Sequence, residues 1–76
     1  MVYLPMWKVK IIGKRTIERE FEHHLPLYAY LRELLENTVW IKYCKIQIFK
    51  YDFSADVWIL HREMDYNDLV STFYGA

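Results

Sequence analysis

Disulfides are excluded at once, because Cys44 is the only cysteine. A lone thiol suits a reducing compartment, so cytoplasmic residence is the default expectation. Glycine and proline are scarce, with two of each, which excludes collagen-like, linker-like and low-complexity segments. Net charge is absent, since ten basic and ten acidic residues cancel. A general DNA binder usually carries a basic excess, so neutrality argues against that class and leaves only a local patch open. No apolar run approaches the ~20 residues of a membrane span. Residues 1–6 lack both the basic start and the apolar stretch of a secretion signal.

Apolar surface is what the sequence has in abundance. Hydrophobic residues make up 54% of the chain and aromatic residues 18%, far from the composition of a disordered segment. Its 76 residues suffice for one domain, 1–76, with one modest core. Large rings contribute much buried area per residue and partly offset the short length.

Local patterns give the element order. Residues 6–12 alternate as a strand, Gly13-Lys14-Arg15 reads as a turn, and residues 16–22 alternate again. A three-residue loop pairs Ile11 with Ile17 and Trp7 with Phe21. The same register sets Lys10 against Glu18 and Lys8 against Glu20, with Val9 opposite Arg19 the one poor match. Pro26 suits the first turn of a helix. Leu27, Tyr28, Tyr30, Leu31, Leu34 and Leu35 then share one arc of it, opposite Arg32, Glu33 and Glu36. Asn37-Thr38 is a stop.

Residues 39–53 are long for one strand, and their apolar parity switches near Tyr43-Cys44. That switch calls for a bulge, a short break, or a strand covered on both faces. Ser54-Ala55-Asp56 is a turn, and Val57 to Glu63 is the returning strand. Asp65 can cap a short terminal helix reaching about Phe73, with Asp68 favoured by the helix dipole. The fold class expected is α+β. It is a β-β-α-β-β, mostly antiparallel four-stranded sheet with one main helix on one face and a short C-terminal helix. Hairpin, helix, then further strands resembles the arrangement of ubiquitin-like β-grasp domains, a resemblance of element order only.

Residues able to carry chemistry are few. His23, His24, His61 and Cys44 are the only soft metal ligands, and they show no ligand spacing, so no metal and no cofactor is expected. Cys44 beside His61 would make a nucleophile and base only if the strands joined them. An apolar setting for Cys44 argues against it, and no catalytic residue is assigned. The acids Asp52, Asp56, Glu63, Asp65 and Asp68 lack the alternation and glycine of a calcium loop, and turn or cap roles account for three of them. Lys42, Tyr43, Lys45, Lys50 and Tyr51 interleave cations with rings. A sheet face so built could stack unpaired bases, which makes single-stranded nucleic acid the alternative partner.

The favoured reading rests on surplus apolar surface. One helix covers one sheet face, with Trp7, Val9, Ile11, Ile17, Phe21, Ile46 and Ile48 as core candidates, joined by Trp58 with Leu60 or by Val57 with Ile59. Several of Tyr3, Trp40, Tyr43, Phe49, Tyr51, Phe53 and Trp58 are then left over. Either the N-terminal segment and the terminal helix fold over the second face, or a partner covers it. The sequence points to the partner. It reads as a non-enzymatic protein-interaction module of the small inhibitor or adaptor kind found in phage or prokaryotes. It self-associates, as a dimer, through Trp40, Tyr43, Phe49, Tyr51, Phe53 and Trp58.

Overall fold

The computed structural model describes residues 5–75, and Tyr3, one of the surplus rings, lies outside them. The order is β1 (Trp7–Ile12), β2 (Thr16–Phe21), α1 (His24–Asn37), a 3₁₀ turn (Trp40–Tyr43), β3 (Lys45–Asp52), β4 (Val57–Met64) and α2 (Tyr66–Tyr74). The strands form one sheet, β2-β1-β3-β4, and every pairing in it is antiparallel. The α+β architecture expected from the sequence is the one observed.

The first hairpin has the register that its charges specify. Trp7 faces Phe21, Lys8 faces Glu20, Lys10 faces Glu18 and Ile11 faces Ile17. Lys10 Nζ lies 3.3 Å from Glu18 Oε1, a half-exposed pair of at most ~1 kcal/mol.

Pairing of β1 with β3 sets Val9 beside Ile48 and Ile11 beside Ile46. These four side chains are buried against Leu27 and Leu31 of α1, Ile41 of the 3₁₀ turn, Met64 and Leu69. Leu27 and Leu31 are one helical repeat apart, which is why one face of α1 reaches the sheet. Trp7, Ile17 and Phe21 pack around this core, half-buried.

In the second half one expectation is met and one is corrected. The long strand 39–53 is broken, as one of the alternatives required, by the 3₁₀ turn, with Lys42 N–H donating to Val39 O and Cys44 N–H to Ile41 O. Neither Trp58 with Leu60 nor Val57 with Ile59 enters the core. Met64, one residue past the expected strand end, does so instead. The reason is a bulge. Ile48 pairs with Arg62 and Phe49 with Leu60, so His61 is the extra residue and parity shifts along β4.

The terminal helix is capped as its sequence implies. Asp65 accepts from Asp68 N–H, and Asp68 accepts from Asp65 N–H, a reciprocal box. Leu69 anchors α2 in the same core as α1, so α2 packs on the helical face and not over the second face of the sheet.

At the tip of the second hairpin, Asp52 Oδ1 accepts from Ser54 N–H, Ser54 Oγ and Ala55 N–H. Asp56 takes the left-handed backbone, φ 57°, which aspartate tolerates better than most residues. The Ser54 hydroxyl, with the two amides, holds the Asp52 carboxyl below its ordinary pKa. Because the folded value is depressed, this contribution is present above the unfolded pKa and is lost as pH falls through the folded one. An NMR titration of the Asp52 carboxyl should give a midpoint below that of an unstructured aspartate, and Ser54→Ala should move it upward. An unchanged midpoint in the variant would rule out the hydroxyl as the main cause.

Candidate functional site

The helices occupy one face of the sheet. On the other face the side chains of Lys8, Lys10, Glu18, Glu20, Phe49, Tyr51, Trp58 and Leu60 follow from the alternation of the four strands. Phe49, Tyr51 and Trp58 adjoin one another here. Tyr51 meets Trp58 edge-on at 5.2 Å and Phe53 at 4.9 Å between ring centroids. Lys8 Nζ sits 4.6 Å from the centre of the Trp58 ring and 5.5 Å from that of Phe49, and Lys10 Nζ is 5.7 Å from Phe49. Each such contact is worth on the order of 0.5–1 kcal/mol where water has access. The lysine stems also shield ring faces, so the cluster is half-covered by its own neighbours.

Among the described residues both outer strands are edges, and they differ in kind. β2 carries Glu18, Arg19 and Glu20, charges of the sort that blunt an edge against further pairing. The first half of β4, Val57-Trp58-Ile59-Leu60, has no charge and no proline. Val57, Ile59 and Leu60 are each about half exposed, at 48%, 48% and 49%. The bulge at His61 and the charges of Arg62 and Glu63 guard only the second half. Arg62 turns back to the helices and donates to Thr72 Oγ1 at 3.0 Å and to Tyr28 Oη at 3.4 Å.

The six rings expected to form one interface divide into two places. Phe49, Tyr51, Phe53 and Trp58 gather on the open face and at the hairpin tip. Trp40 and Tyr43 lie at the other end of the sheet, in the 3₁₀ turn, where they line a groove with Gly13, Lys14, Arg15, Ile17, Val39 and Cys44. What the sequence omitted is the apolar edge itself. Val57, Ile59 and Leu60 read as core candidates or plain strand residues, and only the strand order makes β4 an edge.

The alternative nucleic-acid set is dispersed. Lys45 lies 3.7 Å from Glu63 on the open face. Lys50 is on the helical face, with its Nζ 5.5 Å from the Trp7 ring centre. Lys42 and Tyr43 belong to the 3₁₀ turn. Tyr51 alone of the set joins the ring cluster.

Cys44 and His61 are not brought together. Cys44 packs beside Gly13, just beyond the end of β1, whereas His61 meets Trp7 edge-on at its start. A strand of that length separates them by ~15–20 Å. Burial pushes the Cys44 thiol above its ordinary pKa, the wrong direction for a nucleophile. The thiol also lies 3.4 Å from Trp40 O, to which it donates. Among the described residues no group of His, Cys, Asp and Glu is arranged to hold a metal ion, and no helix is long and apolar enough to cross a membrane.

Gly13 is required by space and not by backbone conformation. A β-carbon there would stand 2.8 Å from Cys44 Sγ. Gly13→Ala should therefore destabilise the chain by roughly 1–3 kcal/mol through overpacking. In the Cys44→Ala background much of that loss should vanish, which a double-mutant cycle in urea would measure. Additive losses would refute the contact.

No protein-family model, no curated protein and no solved structure matches this chain, so its likeness to the β-grasp arrangement stays one of element order.

Proposed function

We propose that this chain is a non-enzymatic protein-interaction module that self-associates through the edge of β4, with the aromatic cluster of the open face beside the contact. The observation that carries the proposal is the contrast between the two edges: β2 is charged, whereas Val57 to Leu60 presents an uncharged, half-exposed row of backbone donors and acceptors that no other described strand pairs with. Such a row is a template for another strand.

A second copy fits this template in one symmetric way better than in others. Under a two-fold axis normal to the sheet, facing residues must share a face, so the axis passes through a residue position. With the axis at Ile59, Trp58 of each copy faces Leu60 of the other on the open side, and Val57 faces His61 on the helical side. This register is centred on the regular part of β4 and reaches the bulge residue His61 only at its ends.

A contact limited to one strand edge and neighbouring rings lies at the small end of specific interfaces, so a dissociation constant on the order of micromolar is expected. Sedimentation velocity from low micromolar to millimolar concentration should show a reversible monomer–dimer equilibrium. Amide exchange should slow in residues 57–60 as dimer accumulates. A monomer throughout that range would overturn self-association. A dimer whose β4 amides stay unprotected would place the contact elsewhere.

A further inference from the structure

The groove between the β1–β2 turn and the 3₁₀ turn is separate from the β4 edge and is independent of the reading above. It measures about 860 Å³ and is open along one side. Cavities that take small ligands run roughly 300–1,000 Å³, with mainly apolar walls and a few polar groups. Here the walls are Ile17, Val39, Trp40 and Tyr43, and no acidic residue lines them. Val39 is 69% exposed and Tyr43 is 83% exposed, high values for apolar and aromatic side chains beside one concavity.

Lys14 and Arg15 stand at the turn end of the groove. Among the described residues neither makes an ion pair, in contrast to Lys10 with Glu18, Arg32 with Glu36 and Lys45 with Glu63. Two adjacent, uncompensated cations at the mouth of an acid-free apolar groove are complementary to one ligand chemistry. We infer that the groove binds a single-chain amphiphile with an anionic headgroup. The chain lies against Ile17, Val39, Trp40 and Tyr43, and the headgroup meets Lys14 and Arg15. Charge-assisted hydrogen bonds from the two cations would give the headgroup its selectivity, and the walls would give affinity with little regard to chain detail.

The test uses dodecanoate, below its micellar concentration, titrated into the full-length chain and followed by amide NMR shifts. Dodecanol and dodecyltrimethylammonium serve as neutral and cationic counterparts. The titration is repeated in an Ile59→Lys background, so that failure of β4 self-association and failure of the groove are read separately. Saturable shifts confined to residues 13–17 and 39–44 are expected. Binding should be at least about tenfold weaker for the neutral and cationic heads, the scale of a lost charge-assisted hydrogen bond. Replacing Lys14→Glu together with Arg15→Glu should remove the preference for the anion. Val39→Glu, at an exposed wall position, should abolish binding while amide signals elsewhere stay in place.

Several results would overturn the inference. They are the absence of saturable shifts, equal binding of all three heads, or shifts concentrated in residues 57–60. A fourth is movement of the groove signals with protein concentration alone, which would mean that a second copy fills the groove.

Discussion

Ile59→Lys should leave the chain folded and monomeric at concentrations where the native chain assembles. The position sits on the axis of the proposed contact, so the variant would set two ammonium groups directly opposite each other. Like charges facing across a strand pair are destabilising, and a cation buried without a partner costs more still. Together with the lost apolar contact, dimer affinity should fall by at least ~100-fold, in the range of an interface hot spot. The monomer should hardly notice, because the native side chain is 48% exposed and surface changes usually stay within ~0.5 kcal/mol. Ile59→Thr keeps the β-branched shape and should give an intermediate loss. Sedimentation velocity with a urea melt separates the two effects. A dimer that survives Ile59→Lys with native strength would exclude the β4 edge as the contact.

Leu31→Ala should cost ~2–5 kcal/mol, the usual range for emptying a leucine site in a core. Leu31 is fully buried midway along α1, one of nine buried residues among those described. For a chain of 76 residues, total stability is expected at roughly 4–11 kcal/mol from the usual value per residue. One cavity thus removes a large fraction of it. Each 1 kcal/mol moves Tm by about 4–8 °C in a domain of this size, so the variant should melt at least ~8 °C below the native chain. Leu25→Ala is the internal control, since Leu25 is 70% exposed at the start of the same helix. It should shift Tm by a few degrees at most. Equal effects at the two positions would mean that α1 is not seated on the sheet as described.

The sequence made some of this legible and hid the rest for identifiable reasons. The β1–β2 register could be read because alternation and the Lys10–Glu18 and Lys8–Glu20 pairings agree, and a one-residue slip would break both at once. The helix could be read because Leu27, Leu31 and Leu34 keep one period. In contrast, Val39, Ile41 and Tyr43 mimic strand alternation while forming a single 3₁₀ turn, a length at which the two periods cannot be told apart. The bulge at His61 shifts parity without leaving a glycine to mark it, which sent the core assignment to Trp58 or Val57 and past Met64.

For the candidate site, the ring types were visible and their grouping was not. Trp40 and Tyr43 are near Phe49 in sequence, yet the 3₁₀ turn sends them to the far end of the sheet. The apolar edge was hidden because whether a strand is central or outermost depends on long-range pairing.

The strand order carries a consequence for how the chain folds. Each hairpin closes locally, β1 with β2 and β3 with β4, and each places its first strand at the centre of the sheet. The two halves meet along one seam, β1 with β3, and the whole of α1 lies between those strands in the chain. Contacts across that seam have the larger sequence separation, so their closure costs more chain entropy than closing either hairpin, and contact order makes it the expected slow step. If the seam forms in the rate-limiting step, changes at Ile48 or Val9 should slow refolding, whereas changes at the Asp52–Asp56 tip should act mainly on the rate of unfolding; a stopped-flow chevron for each variant checks this.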